Sequence, residues 1–266
     1  MADLAFDVLD SSETALTKTS TLVYGDDELM VVDAGFTRAQ AHRVVAAALD
    51  TGRRVTRVFV SGGDPGFYFG VGIVADAFPA ARVFATPRVV DHILRTYEDE
   101  VTQWGRLGSN LPTRRSAIDT WADGTFEFEG HQFELHPGDD TLSWRGDYVW
   151  QPQTHTVLGG ALLYGGDHVW TADTPTAAER QAWEERLREV HGLGARQLVP
   201  GHRRSGWKGD PATWTLEYLD MFDRVVAETT DPDAAARALR EQFPEAGLVT
   251  AVELGTKVAL DRLTWQ

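Results

Sequence analysis

The chain of 266 residues sets 25 Lys and Arg against 40 Asp and Glu, a formal charge of −15, with 42% hydrophobic residues and no cysteine. That is a globular composition, long enough to bury a sizeable core. The acidic balance disfavours nucleic-acid and membrane-surface partners, and zero cysteine excludes disulfides, thiolate zinc sites and cysteine nucleophiles. No apolar run approaches the ~18 residues of a spanning helix. Met1-Ala2-Asp3-Leu4 opens no secretion signal, so a cytoplasmic location is expected, with homo-oligomerisation left open.

Two apolar runs, 21–24 and 29–32, flank a polar turn at Gly25-Asp26-Asp27-Glu28 and predict a hairpin. Asp33-Ala34-Gly35 ends the second strand, and Thr37 is placed to cap a helix reaching about Asp50. A strand at 58–60 stops at Ser61-Gly62-Gly63-Asp64-Pro65-Gly66, where three glycines and a proline demand a loop. A helix (71–77), a strand (82–85) and a longer helix (87–103) follow, then an aperiodic loop over 105–116. Period-two stretches at 125–128, 132–135 and 148–150 predict strands. Another apolar strand, 156–164, is interrupted at Gly159-Gly160. A helix from about Thr176 to His191 leads to a strand at 197–199 ending in Pro200-Gly201-His202. From Asp210 the pattern is helical, with a break at Asp231-Pro232. The periodicity supports a mixed α and β chain, read as one domain over 1–266 with helices from about 210 packed on it.

Four segments, 21–35, 58–70, 157–173 and 198–202, together resemble the metallo-β-lactamase-fold hydrolases. The framing residues Asp64-Pro65 and Tyr68-Phe69-Gly70 and the stretch from Trp104-Gly105 to Asn110-Leu111-Pro112 match one branch of that family closely. The resemblance implies an α/β fold, a four-layer α/β/β/α sandwich. It also implies a dinuclear zinc site whose loop ligands form a His-x-His-x-Asp-His cluster. Here the two histidines of the first metal site become Gly62 and Asp64, and the Asp and His of the second become Gly66 and Phe67. The family's third histidine falls at Asp139 and its bridging aspartate near Gly160. Only His202 survives, so no metal and no other cofactor is expected.

The vacated positions hold Gly, Asp and Phe, which leave a shaped, partly apolar pocket with polar groups still aimed inward. Asp64 reads as a general acid or base, or as a turn residue before Pro65. His202 reads as its proton-transfer partner, or as a leftover imidazole bonded to local backbone. Asp139 is a candidate acid against the ordinary reading of a solvated turn carboxylate. Tyr68 is a candidate hydrogen-bond donor against packing in a first helical turn. Phe67, Trp104, His168 and Trp170 are the candidate substrate-contacting residues, each with core packing as the alternative. The expected function is a metal-independent enzyme acting on a largely apolar small molecule by acid–base chemistry: isomerisation, cyclisation, elimination or activated-ester hydrolysis. Two alternatives stand beside it: a single-metal hydrolase using Asp64, Asp139 and His202, and a small-molecule binder without turnover.

Overall fold

The computed structural model describes residues 4–264. Strands β1 (Ala5–Leu9), β2 (Ser20–Tyr24), β3 (Glu28–Val32), β4 (Arg54–Val60), β5 (Arg82–Ala85) and β6 (Asp119–Thr120) form one sheet in that order. The first three are antiparallel, and β3 to β6 run parallel. A second sheet is built from β7 (Thr125–Phe128), β8 (His131–His136), β9 (Tyr148–Gln151), β10 (Thr156–Leu158) and β12 (Gln197–Val199), with only the β10–β12 pair parallel. A short parallel pair, β11 (Tyr164–Gly165) with β13 (His202–Arg203), stands apart from both.

Period-two alternation decides which face each strand residue joins. In β3, Met30 and Val32 meet Phe133, Leu135 and Val149 of the second sheet, while Leu29 and Val31 turn to the helices. A one-residue slip would exchange the two sets, so burial on both faces fixes the register. Between the sheets, Phe126 stacks on Phe133 at 5.0 Å and lies edge-on to Phe84 at 5.4 Å.

Helices α1 (Arg38–Asp50), α3 (Val71–Ala77) and α4 (Pro87–Gln103) lie on the first sheet's outer side. Thr37 caps α1 by accepting from Gln40 N at 3.1 Å. On the other side, α5 (Ala177–Gly192) carries a capping box between Thr176 and Glu179 and packs on α6 (Pro211–Glu228). α7 (Pro232–Gln242) and α8 (Val249–Ala259) complete that layer, α7 against α6 and α8 against α7. The result is helix, sheet, sheet, helix, the sandwich that the resemblance implied.

Two local expectations change. The apolar run 156–164 is two strands in different sheets, because Gly160 takes a φ of +47 and a tight turn over Gly160–Leu162 redirects the chain. Inside the 61–66 loop and just beyond it, a single helical turn, α2 (Pro65–Tyr68), begins at Pro65, whose fixed φ suits a first helical position.

Candidate functional site

A cavity of about 370 Å³ opens where β4 gives way to α2 and where Pro200-Gly201 leads into β13. Asp64, His202, Trp104 and Trp170 all line it. Phe67 is fully buried beneath it, under a side chain that sequence reasoning passed over: Lys18.

The chain reaches Lys18 through Leu16 and Thr17, both in the left-handed region with φ of 58 and 52. Non-glycine residues there carry strain that surrounding structure must hold. Here the neighbouring 200–203 loop holds it. Thr19 N donates to Gly201 O at 3.0 Å, Thr19 Oγ1 to Pro200 O at 2.6 Å, and Arg203 N to Thr17 O at 2.9 Å. That stitching turns Lys18 inward, with only 3% of its side chain exposed. Its Nζ sits 3.6 Å from the Phe67 ring centroid and 3.9 Å from Asp64 Oδ2. Burial lowers the ammonium's pKa from 10.5 to about 8, against the opposing pull of Asp64 and Asp33.

His202 is fixed by the same segment. Its Nδ1 donates to Leu16 O at 2.9 Å, which leaves Nε2 as the acceptor, and its ring stacks on Tyr164 at 4.4 Å. Burial first, then the Lys18 charge, hold its pKa well below the usual value, so the imidazole is neutral at pH 7. Asp33, which accepts from Ser61 N at 2.8 Å and Ser61 Oγ at 2.7 Å, pins the end of β4 beside the site.

One wall is a face of α4. His92, Thr96, Asp99, Glu100 and Gln103 recur at helical spacing along the cavity, while Val89, Ile93 and Tyr97 point into the core. Glu100 accepts from Trp104 Nε1 at 3.1 Å. Its pKa rises to about 7, through burial and then the charge of Asp64. Arg145, 3.5 Å from Asp173, brings a second cation to the rim.

Besides Phe67, which lies beneath the cavity, three predicted residues do not line it. Asp139 is exposed and accepts from Thr141 N at 3.0 Å and Leu142 N at 2.8 Å, the work of a turn carboxylate. It is therefore not positioned to share a metal or a substrate with Asp64. Tyr68 is buried against Phe69 and Tyr97, its hydroxyl without a hydrogen-bond partner among the described residues. His168 is buried beneath the C-terminal helices, 3.1 Å from the Tyr218 hydroxyl of α6, and burial lowers its pKa to about 4. Two signals could have found the missed groups. Lys18 is one of three lysines in the chain, inside an otherwise uncharged stretch from Ala15 to Tyr24, and α4 shows a polar i, i+4, i+8 stripe.

Residues 14–202 match the Metallo-beta-lactamase superfamily. The chain belongs to that superfamily. A search of curated proteins gives no match. Among solved structures, a metallo-β-lactamase family protein from Thermus thermophilus superposes with a TM-score of 0.67 at 17% identity, over 97% of this chain and 93% of that one. A β-lactamase domain protein from Burkholderia ambifaria gives 0.63 at 13% identity, over 97% and 85%. A metallo-β-lactamase from Pontibacter korlensis gives 0.56 at 17% identity, over 83% and 96%. At these identities the likeness is one of fold.

The superfamily's paired zinc ions do not fit the residues present. Among the described residues, no group of three His, Asp or Glu side chains could hold a metal ion. The space is also taken. A Cβ on Gly66 would lie 2.1 Å from Lys18 Cε, and one on Gly62 would lie 2.6 Å from the Phe67 ring. Trp144 also closes on Gly62, its ring 3.1 Å from where that Cβ would be. A lysine stem and two aromatic rings occupy the ground from which ligands would reach inward.

Proposed function

We propose that this superfamily member is a metal-independent enzyme that acts on a largely apolar small molecule by acid–base chemistry in the Lys18 cavity. The observation that carries the reading is the buried Lys18 ammonium set between Asp64 and the Phe67 ring, where relatives would place metal ligands. A buried cation next to a reacting atom stabilises developing negative charge strongly, because little water screens it.

The proton-transfer partner of Asp64 is then Lys18, rather than His202 as the sequence suggested. His202, with its pKa far down, is a weak base whose Nε2 instead accepts from a substrate hydroxyl or water. Glu100 supplies the acid. Its carboxyl titrates near 7, so a substantial share carries a proton at neutral pH. Asp64, paired with the Lys18 ammonium, takes the base role beside it. Trp104, Trp170 and Phe36 give the cavity apolar walls that suit isomerisation, cyclisation, elimination or activated-ester hydrolysis.

Two defined probes test this. 4-Nitrophenyl acetate reports activated-ester hydrolysis, and 5-nitrobenzisoxazole reports abstraction of a proton from carbon. Turnover of at least one is expected with EDTA present, falling ~10²-fold or more in both Asp64→Asn and Glu100→Gln. A wild-type protein that turns over neither probe but is stabilised by binding them would be a binder, and the enzymatic reading would fall. Elemental analysis gives a separate check. Protein purified without chelator should carry no stoichiometric zinc, and EDTA should leave its melting temperature unchanged. One or two tightly held zinc ions per chain would overturn the metal-independent reading.

A further inference from the structure

We propose that Lys18 is a nucleophile, and that the cavity takes an aldehyde or ketone and holds it as a Lys18 imine. The inference rests on the reading of the cavity as catalytic and names its substrate class. Three features of the geometry point to it. Lys18 lines the cavity although its side chain is almost wholly buried, so it contacts a bound molecule rather than bulk water. Its ion pair with Asp64, at 3.9 Å, is longer than a hydrogen bond and does not lock the amine. An acid, Glu100, and a base, Asp64, line the same cavity. The lowered pKa adds to this, since it leaves roughly a tenth of the amine uncharged at neutral pH.

The chemistry balances with groups in the cavity. The Lys18 nitrogen lone pair adds to the carbonyl carbon, and the carbonyl π pair moves to oxygen. One amine proton then passes by way of Asp64 to that oxygen, giving a neutral carbinolamine. Glu100 protonates the hydroxyl, the nitrogen lone pair expels it as water, and a protonated imine remains. Amine, carbonyl compound and one proton thus give iminium and water, and the reverse steps release product. The iminium draws electrons from the adjacent carbon, whose proton Asp64 can then remove. Isomerisation, elimination and cyclisation can each proceed from that carbanion-like carbon. A buried lysine is an established route to such an activated amine.

Benzaldehyde with sodium cyanoborohydride is the test, at about pH 7.5, on the whole folded protein. Reduction converts the imine to a stable secondary amine that peptide mass spectrometry locates. The three lysines make a built-in comparison, because Lys208 is exposed and Lys257 half-buried. Ordinary accessibility would label Lys208 first. Selective chemistry labels Lys18 faster than Lys208, by on the order of 10-fold or more, because burial leaves part of the Lys18 amine uncharged. Labelling at Lys18 also blocks tryptic cleavage there and joins peptide 1–18 to 19–38. Lys18→Arg, which keeps the charge, should lose that product while Lys208 reacts as before. Labelling of Lys208 with Lys18 untouched overturns the imine. If 5-nitrobenzisoxazole turnover still depends on Asp64 in that case, the acid–base reading survives alone. If turnover is absent as well, both fall.

Discussion

A single methyl group added at Gly66 is expected to lower stability by about 1–3 kcal/mol, and shortening Lys18 to alanine should abolish the effect. The new Cβ would meet three atoms of the lysine stem, Cε at 2.1 Å and Cδ and Cγ at 2.7 Å. The stem would have to leave its seat on Phe67 for the cavity. For a chain of this size, each 1 kcal/mol moves the melting temperature by about 2–4 °C. Melting curves of Gly66→Ala, Lys18→Ala and the double variant check it, since contacting residues are non-additive. Gly70→Ala is the control. Its Cβ would lie 2.0 Å from the Ala34 carbonyl oxygen, which cannot swing aside, so its loss should be the same in both backgrounds. A neutral Gly66→Ala in the wild-type chain would show that Lys18 does not fill that space. The result bears on descent as well: a carboxylate at Gly66 and the Lys18 stem exclude one another.

Much of the fold was legible because most elements carry their own signals. Thr37, the Thr176–Glu179 box and Asp210-Pro211 mark helix starts, and the alternation in β3 and β8 marks buried faces. What escaped were pieces whose structure comes from neighbours. β1 is an edge strand whose Phe6 and Val8 are only partly buried, so its five residues show weak alternation against Asp7. β6 and β13 are two residues each and exist through pairing, β6 with Phe84-Ala85 and β13 with Tyr164-Gly165.

The site was legible only where a frame of motifs pointed to it. Asp64 and His202 were found because their positions sit at strand ends that the resemblance marks. Asp139 was assigned by that same frame, but it is exposed and does not line the cavity. In the turn after β8 the Asp139 carboxylate accepts from its own backbone amides. Lys18 was invisible for the opposite reason. Its placement depends on two strained residues before it and on a loop more than 180 positions away in sequence, and neither leaves a local pattern. Glu100 was hidden by its helix, since a charged residue on an amphipathic helix is read as solvent-facing until a cavity is found on that face.

Replacing Lys18 with methionine is expected to stabilise the protein at pH 7 while removing the amine proposed to react. The sign follows from the ammonium's pKa, which falls from 10.5 to about 8 on folding. Below pH 8 both folded and unfolded chains carry the charge, and folding must bury it. The penalty is about 3 kcal/mol, from ~1.4 kcal/mol per pKa unit. Between about 8 and 10.5 the folded chain binds fewer protons than the unfolded one, so stability should rise with pH through that window. Methionine keeps an unbranched stem against Phe67 and carries no charge to desolvate. Asp64 loses its partner, but 24% of its side chain is exposed, so its charge stays partly hydrated. The net gain should therefore be somewhat below the full penalty, on the order of 1–3 kcal/mol. Urea denaturation of both proteins at several pH values checks two things at once. The variant should be the more stable at pH 7, and the wild type's rise above pH 8 should be missing from it. A variant less stable than wild type at pH 7 would make Lys18 a structural ion-pair partner. A more stable one that labels no aldehyde would mark Lys18 as a group the fold carries at a loss, which is the signature of a functional residue.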